Sequence, residues 1–207
     1  MRLLLEEHPS LKNFHTLSPI PKFREWIDHK LSTAITNNAT TNATEYFKIE
    51  NAFQPSEILQ LKELFHIEEN SILFLKIKDY LKSTDFRNKV ALINLKDCSS
   101  SEESSKQIAR ILANFLERSC TFYLYFEKKK GYAFNSVANF HLKNGAQIYR
   151  VNFKGDMSEN GWKSSYGFMV NYGYYLEDLE SNCINYLIDK RIKISDSVKE
   201  NLIFFEK

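Results

Sequence analysis

Among the five histidines of this chain, His141 stands in the stretch VANFHLKNGAQIYRVNF, residues 137–153, between an aromatic residue and an Asn-Gly pair. An imidazole with a reference pKa of about 6.5 holds both protonation states near neutrality, which is what proton-transfer chemistry needs. The position admits two readings: a surface residue beside a turn, or the acid of an active site. Few other residues compete for chemistry. Cys98, Cys120 and Cys183 are widely spaced and no CxxC occurs, so a zinc site is not expected. All six glycines lie at or beyond residue 131, and the four prolines are residues 9, 19, 21 and 55. The first 130 residues therefore hold no glycine-rich phosphate loop. Walker and dinucleotide fingerprints are excluded, because both need glycine for close backbone approach.

Bulk composition narrows the classes further. The 207 residues suit one ordinary domain, or one domain with an attached subdomain. Hydrophobic residues make up 43% and charged residues 26%, and 16 Phe and 11 Tyr supply material for a core. A net charge of +2 argues against a nucleic-acid partner, which would show as a basic stripe. The compact run Lys128-Lys129-Lys130 reads as a solvated helix end or loop. The cysteine usage fits a reducing compartment. Two Asn-Ala-Thr sequons, at Asn38 and Asn42, would be glycosylated only in a secreted protein. MRLLLEEHPS resembles neither a signal peptide nor a transit peptide, and the final FFEK is not a peroxisomal signal. The expectation is a cytoplasmic chain by default, with no membrane partner, since no apolar run approaches the ~20 residues that span a bilayer.

The elements follow from periodicity. MRLLLEEHPSLK reads as a helix end, Asn13–Leu17 as a short strand stopped by SPIP, and residues 22–35 as a helix. TNNATTNAT reads as a polar loop. Ile58, Leu61, Leu64 and Phe65 recur at helical spacing, as do Leu73, Ile77, Tyr80 and Leu81. Ser100 with Glu103 makes a capping box, and Ile108, Ile111, Leu112, Phe115 and Leu116 form a core stripe behind it. AQIYRVNF and YGFMVNYGYYL are strand-like, and a last helix covers about residues 196–205. The His141 stretch fits two local structures. Asn144-Gly145 could turn a hairpin that pairs Phe140 with Tyr149 and His141 with Ile148. Alternatively, Asn135 caps a helix over residues 136–144, which Gly145 ends in the left-handed conformation.

HTLSPIPKFREWI, FYLYFEKKKGYAFNSVANFHLKNGAQIYRVNF and GFMVNYGYYLED occur in this order, and together they resemble the C-terminal part of malonyl-CoA decarboxylases. The resemblance runs from about residue 3 to the end. It is weakest over about 32–110, which reads as a helical, poorly matched insertion in a partial catalytic domain spanning 1–207. It implies an α+β fold, the C-terminal half of a GNAT-like (acyl-CoA N-acyltransferase) fold, with Phe140-His141 near the coenzyme A sulfur. That favours the helix reading of the His141 stretch. It also implies that the chain begins inside the helix following the coenzyme A pyrophosphate loop.

What the resemblance implies for function is concrete. Malonyl-CoA loses CO2 to give acetyl-CoA, in fatty-acid metabolism, with no metal or organic cofactor. His141 is the proton donor. Ser18 is the proton acceptor or carboxylate-positioning group, and both contact substrate. Tyr174 is a further candidate for the pocket wall. An imidazole in the last turn of a helix faces the carbonyl end, which favours imidazolium and would keep the acid charged. A serine orients a carboxylate without adding a repelling charge. Ser136 stands where the family favours proline, a mild departure. The resemblance further implies a homo-oligomer, and a mitochondrial or peroxisomal address besides the cytosolic one. A noncatalytic remnant or interaction module lacking the pyrophosphate loop is the alternative. A GNAT-like acyl transferase comes third, disfavoured by His141 standing in place of tyrosine.

Overall fold

The computed structural model describes residues 6–8, 10–11, 14–36, 47–95 and 103–205, which form a mixed helix and sheet protein. Two compact units divide the chain. One is helical and comprises Lys22–Phe122 with the segment from Asn201; the other holds the strands and comprises the segment up to Pro21 with Tyr123–Glu200.

The helical unit opens with α1 (Phe23–Thr36), which buries Phe23, Ile27 and Leu31 along one face. A 3-10 turn (Ile49–Ala52) precedes α2 (Pro55–Phe65). Pro55 opens α2, and Gln54 and Glu57 cap it reciprocally; the Gln54 backbone N–H donates to the Glu57 carboxylate over 2.8 Å. Next come α3 (Asn70–Lys82), which packs on α1, and α4 (Thr84–Leu92), capped by the Ser83 hydroxyl accepting from the Phe86 N–H. α5 (Ser104–Tyr125) carries the expected stripe, with Ile108, Ile111, Leu112, Phe115 and Leu116 all buried. Ser100 of the expected capping box lies outside the described residues, as do both sequons and most of the N-terminal segment and polar loop.

In the second unit β1 (Phe14–His15) and β2 (Ser18–Pro19) both pair antiparallel with β6 (Met169–Tyr174), and in the same register. The expected strand therefore continues past Leu17 instead of stopping at SPIP. Pro19 is tolerated because this strand lies at an edge of the sheet, where a missing donor costs no ladder bond. β3 (Lys128–Lys129) and β4 (Tyr132–Ala133) form a hairpin turned at Lys130 and Gly131, both at positive φ, so the lysine run is exposed, with its first two residues extended and the third in the turn.

α6 (Ser136–Lys143) follows, then β5 (Gln147–Asn152), which pairs with the other edge of β6. An extra residue between Ile148 and Arg150 breaks the alternation. Ile148 and Val151 are thus both buried, alongside Val170 and Tyr172 of β6. α7 (Glu159–Ser165) and α8 (Leu179–Asp189) have no counterpart among the sequence expectations, and α9 (Asp196–Leu202) begins where the last helix was expected. α7 is seven residues long and carries a glycine, too little for a readable period, whereas Leu179, Cys183, Tyr186 and Leu187 of α8 do recur at helical spacing. Among the described residues, no helix is long and apolar enough to cross a membrane.

Candidate functional site

His141 is delivered by a short helix with two well-made ends. At its start the Asn135 side chain accepts from the Ala138 N–H over 2.9 Å and donates from Nδ2 to the Pro21 carbonyl over 3.0 Å. At its finish the Gly145 N–H donates to the Leu142 carbonyl and the Ala146 N–H to the His141 carbonyl, both over 3.1 Å, the pair of bonds that defines a Schellman stop. Gly145 has φ +80, and a Cβ there would lie 2.2 Å from the Leu179 carbonyl oxygen, so glycine is required twice over. The helix reading of this stretch is correct, and the hairpin pairing of His141 with Ile148 does not occur; Ile148 pairs with Tyr172 instead.

Ser18 is delivered by the sheet. Its strand shares one register with β6, so alternation puts Thr16, Ser18, Val170, Tyr172 and Tyr174 on one face. His141 meets that face. Its Nε2 lies 3.2 Å from Ser18 Oγ, across 123 residues of chain. Its Nδ1 lies 2.6 Å from the Tyr174 hydroxyl. The imidazole stacks on the Tyr172 ring, with centroids 4.2 Å apart and planes inclined by 19°. Ser18 is 6% exposed and His141 9%. The Ser18 hydroxyl donates in turn to Thr16 Oγ1 over 2.9 Å.

All three residues singled out from the sequence therefore meet: Ser18, His141 and Tyr174. Two neighbours escaped notice, Thr16 and Tyr172. Their signal was available, because each lies two residues from a named one along a strand.

Charge corrects one expectation. His141 does sit in the last turn of its helix, yet burial pulls its pKa below the ordinary 6.5. Removing the ring from water outweighs the carbonyl end of an eight-residue helix, whose effect is small and falls off within a turn. Burial therefore favours the neutral ring, contrary to the charged acid expected. Burial likewise pushes the Tyr174 hydroxyl above its ordinary 10. What results is a hydrogen-bonded chain of proton carriers, buried at Ser18 and His141 and half-buried at Tyr174, beside an exposed Phe140. Among the described residues no three His, Cys, Asp or Glu side chains are grouped to hold a metal ion.

Comparison with known proteins agrees with this arrangement of blocks. The family model described as "Malonyl-CoA decarboxylase C-terminal domain" matches residues 1–206. The chain is 36% identical over 195 residues to "Malonyl-CoA decarboxylase, mitochondrial" of Anser anser anser, covering 94% of this chain and 33% of that protein. The protein of the same name from Rattus norvegicus is also 36% identical over 195 residues, with 94% of this chain and 34% of that one covered. The chain thus spans about a third of the length of these curated relatives. Among solved structures, the malonyl-CoA decarboxylase of Cupriavidus metallidurans superposes with a TM-score of 0.62 at 28% identity, over 97% of this chain and 41% of that one.

Proposed function

We propose, from the premise that this chain belongs to the malonyl-CoA decarboxylase family, that it carries the proton-transfer half of a malonyl-CoA decarboxylase site. The observation that supports this is the contact of Ser18 with His141, 3.2 Å apart and buried although 123 residues separate them. The reaction cleaves the bond between the α-carbon and the carboxylate. Its electron pair stays on the α-carbon as a thioester enolate, CO2 departs, and a proton completes acetyl-CoA.

His141 is the donor of that proton and Ser18 orients the departing carboxylate. The lowered pKa suits this sequence of charges. Arrival of the malonyl carboxylate favours the imidazolium. CO2 departs neutral and the negative charge moves to the enolate, which takes the proton of the imidazolium. The anion and the buried cation are thus discharged together, and the ring returns to the neutral form its surroundings favour. Tyr174, at Nδ1, holds the ring in orientation and completes the wall.

The fold we infer is the C-terminal half of a GNAT-like domain, because α6, Gly145 and β5 follow one another as helix, glycine and strand. Residues 1–207 form part of the catalytic domain, with 32–110 as a helical insertion. The substrate is malonyl-CoA, the complete protein self-associates, and its compartment is the mitochondrion, as the relatives' names suggest. Acetyl-CoA release from malonyl-CoA by the protein carrying this chain is the test. It should vanish in His141→Asn, and release that survives this change would sink the assignment.

A further inference from the structure

We infer that Thr16 is a positioning residue for this site: by accepting the Ser18 hydroxyl proton it holds the His141 proton on Nε2, the nitrogen that faces Ser18. This rests on the decarboxylase reading for its purpose, but not for its geometry. Ser18 Oγ has two partners, Thr16 Oγ1 at 2.9 Å and His141 Nε2 at 3.2 Å, and it owns a single proton. That proton goes to Thr16. Ser18 therefore meets His141 as an acceptor, and Nε2 must carry the hydrogen.

The other ring nitrogen then follows. In a neutral imidazole with Nε2 protonated, Nδ1 is an acceptor, and the Tyr174 hydroxyl at 2.6 Å donates into it. Proton direction thus runs from Tyr174 to His141 to Ser18 to Thr16. Thr16 itself is held by the sheet. Its backbone N–H donates to the Tyr172 carbonyl over 3.1 Å, and the Tyr172 N–H donates to its Oγ1 over 3.4 Å. The strand pairing with β6 that positions Ser18 therefore positions its proton acceptor as well. Remove the Thr16 oxygen and, among the described residues, the partner left to accept from Ser18 is Nε2. The ring must then take its proton on Nδ1, and the nitrogen facing Ser18 is left bare.

The test is nitrogen-15 NMR of the imidazole ring in the chain, which reads the tautomer without substrate. The unsubstituted protein should show Nε2–H. Thr16→Val should move the neutral ring to Nδ1–H, and Thr16→Ser should restore Nε2–H. In a Ser18→Ala background, Thr16→Val should change nothing. Where the protein decarboxylates, Thr16→Val should lower kcat on the order of 10²-fold with KM nearly unchanged, and Thr16→Ser should recover the rate. An Nδ1–H ring in the unsubstituted protein overturns the proposal even if Thr16→Val does not fold. An unchanged tautomer in folded Thr16→Val overturns it too. Absence of decarboxylation with the expected tautomers overturns the catalytic reading instead, so the two failures are distinguishable.

Discussion

The buried polar groups of the two units are wired in opposite ways. In the helical unit, Arg118 and Glu57 form an ion pair with both residues buried, and each also bonds a backbone group. The Arg118 Nε–H donates to the Ala52 carbonyl over 2.7 Å, and the Gln54 N–H donates to the Glu57 carboxylate. Arg118 also lies over the Phe204 ring, 5.0 Å from its centroid. Nothing there can change protonation state without abandoning a partner, so the arrangement is a staple. In the second unit, Ser18, His141 and Tyr174 are joined by neutral hydrogen bonds through atoms that both give and accept protons. Such a chain can hand a proton to a new partner, and Thr16 sets the direction in which it rests. The difference teaches where to look for chemistry: a buried charge held by fixed partners is a staple, while neutral groups able both to give and to accept a proton are the candidates.

The comparison is broken or sharpened most strongly by removing its central members. His141→Asn should lower decarboxylation by on the order of 10²–10⁴-fold while leaving the circular dichroism spectrum intact. An equally severe loss of fold would make His141 another staple. Glu57→Ala should do the reverse. A guanidinium left buried without its carboxylate costs about 3–5 kcal/mol of stability, measurable by urea denaturation, while the NMR titration of His141 stays put. Gly145→Ala comes next, at roughly 2 kcal/mol or more, because a Cβ would meet the Leu179 carbonyl and the residue would be held at positive φ.

Tyr174→Phe removes one half-buried hydrogen bond, worth about 1 kcal/mol, and should cost roughly five- to tenfold in kcat. The smallest effect is on stability against pH. The folded-state pKa of His141 lies below the ordinary 6.5, so the unfolded chain binds the proton more readily. Its contribution is intact above 6.5 and erodes as pH falls from there towards the folded value. The urea midpoint should drop less between about pH 7.5 and about pH 5.5 in His141→Asn than in the unsubstituted protein.

Much of this was legible in advance, and the reasons are local. The α5 stripe, the β5 and β6 runs and the two ends of α6 are written in short-range chemistry: apolar spacing, an asparagine cap and a glycine that alone accepts positive φ without strain. The errors were also physical. SPIP was read as a strand stop because proline lacks a donor, yet at a sheet edge that donor is not needed. The imidazole was expected to be charged because the helix end was weighed and burial was not. Alternation places Thr16 on the face of Ser18 and Tyr172 on that of Tyr174, but it does not say that His141 lands on that face.

By itself, then, the sequence determined the family, the helix that carries His141 and the strand segments beside Ser18 and Tyr174, because each depends on neighbours a few residues away. That Ser18 reaches Nε2 and Tyr174 reaches Nδ1 of one ring was decided only by tertiary structure. The shared register of β1, β2 and β6 and the packing of α6 on that face set both distances, and burial then set the charge. Those are long-range effects, and no spacing within the chain encodes them.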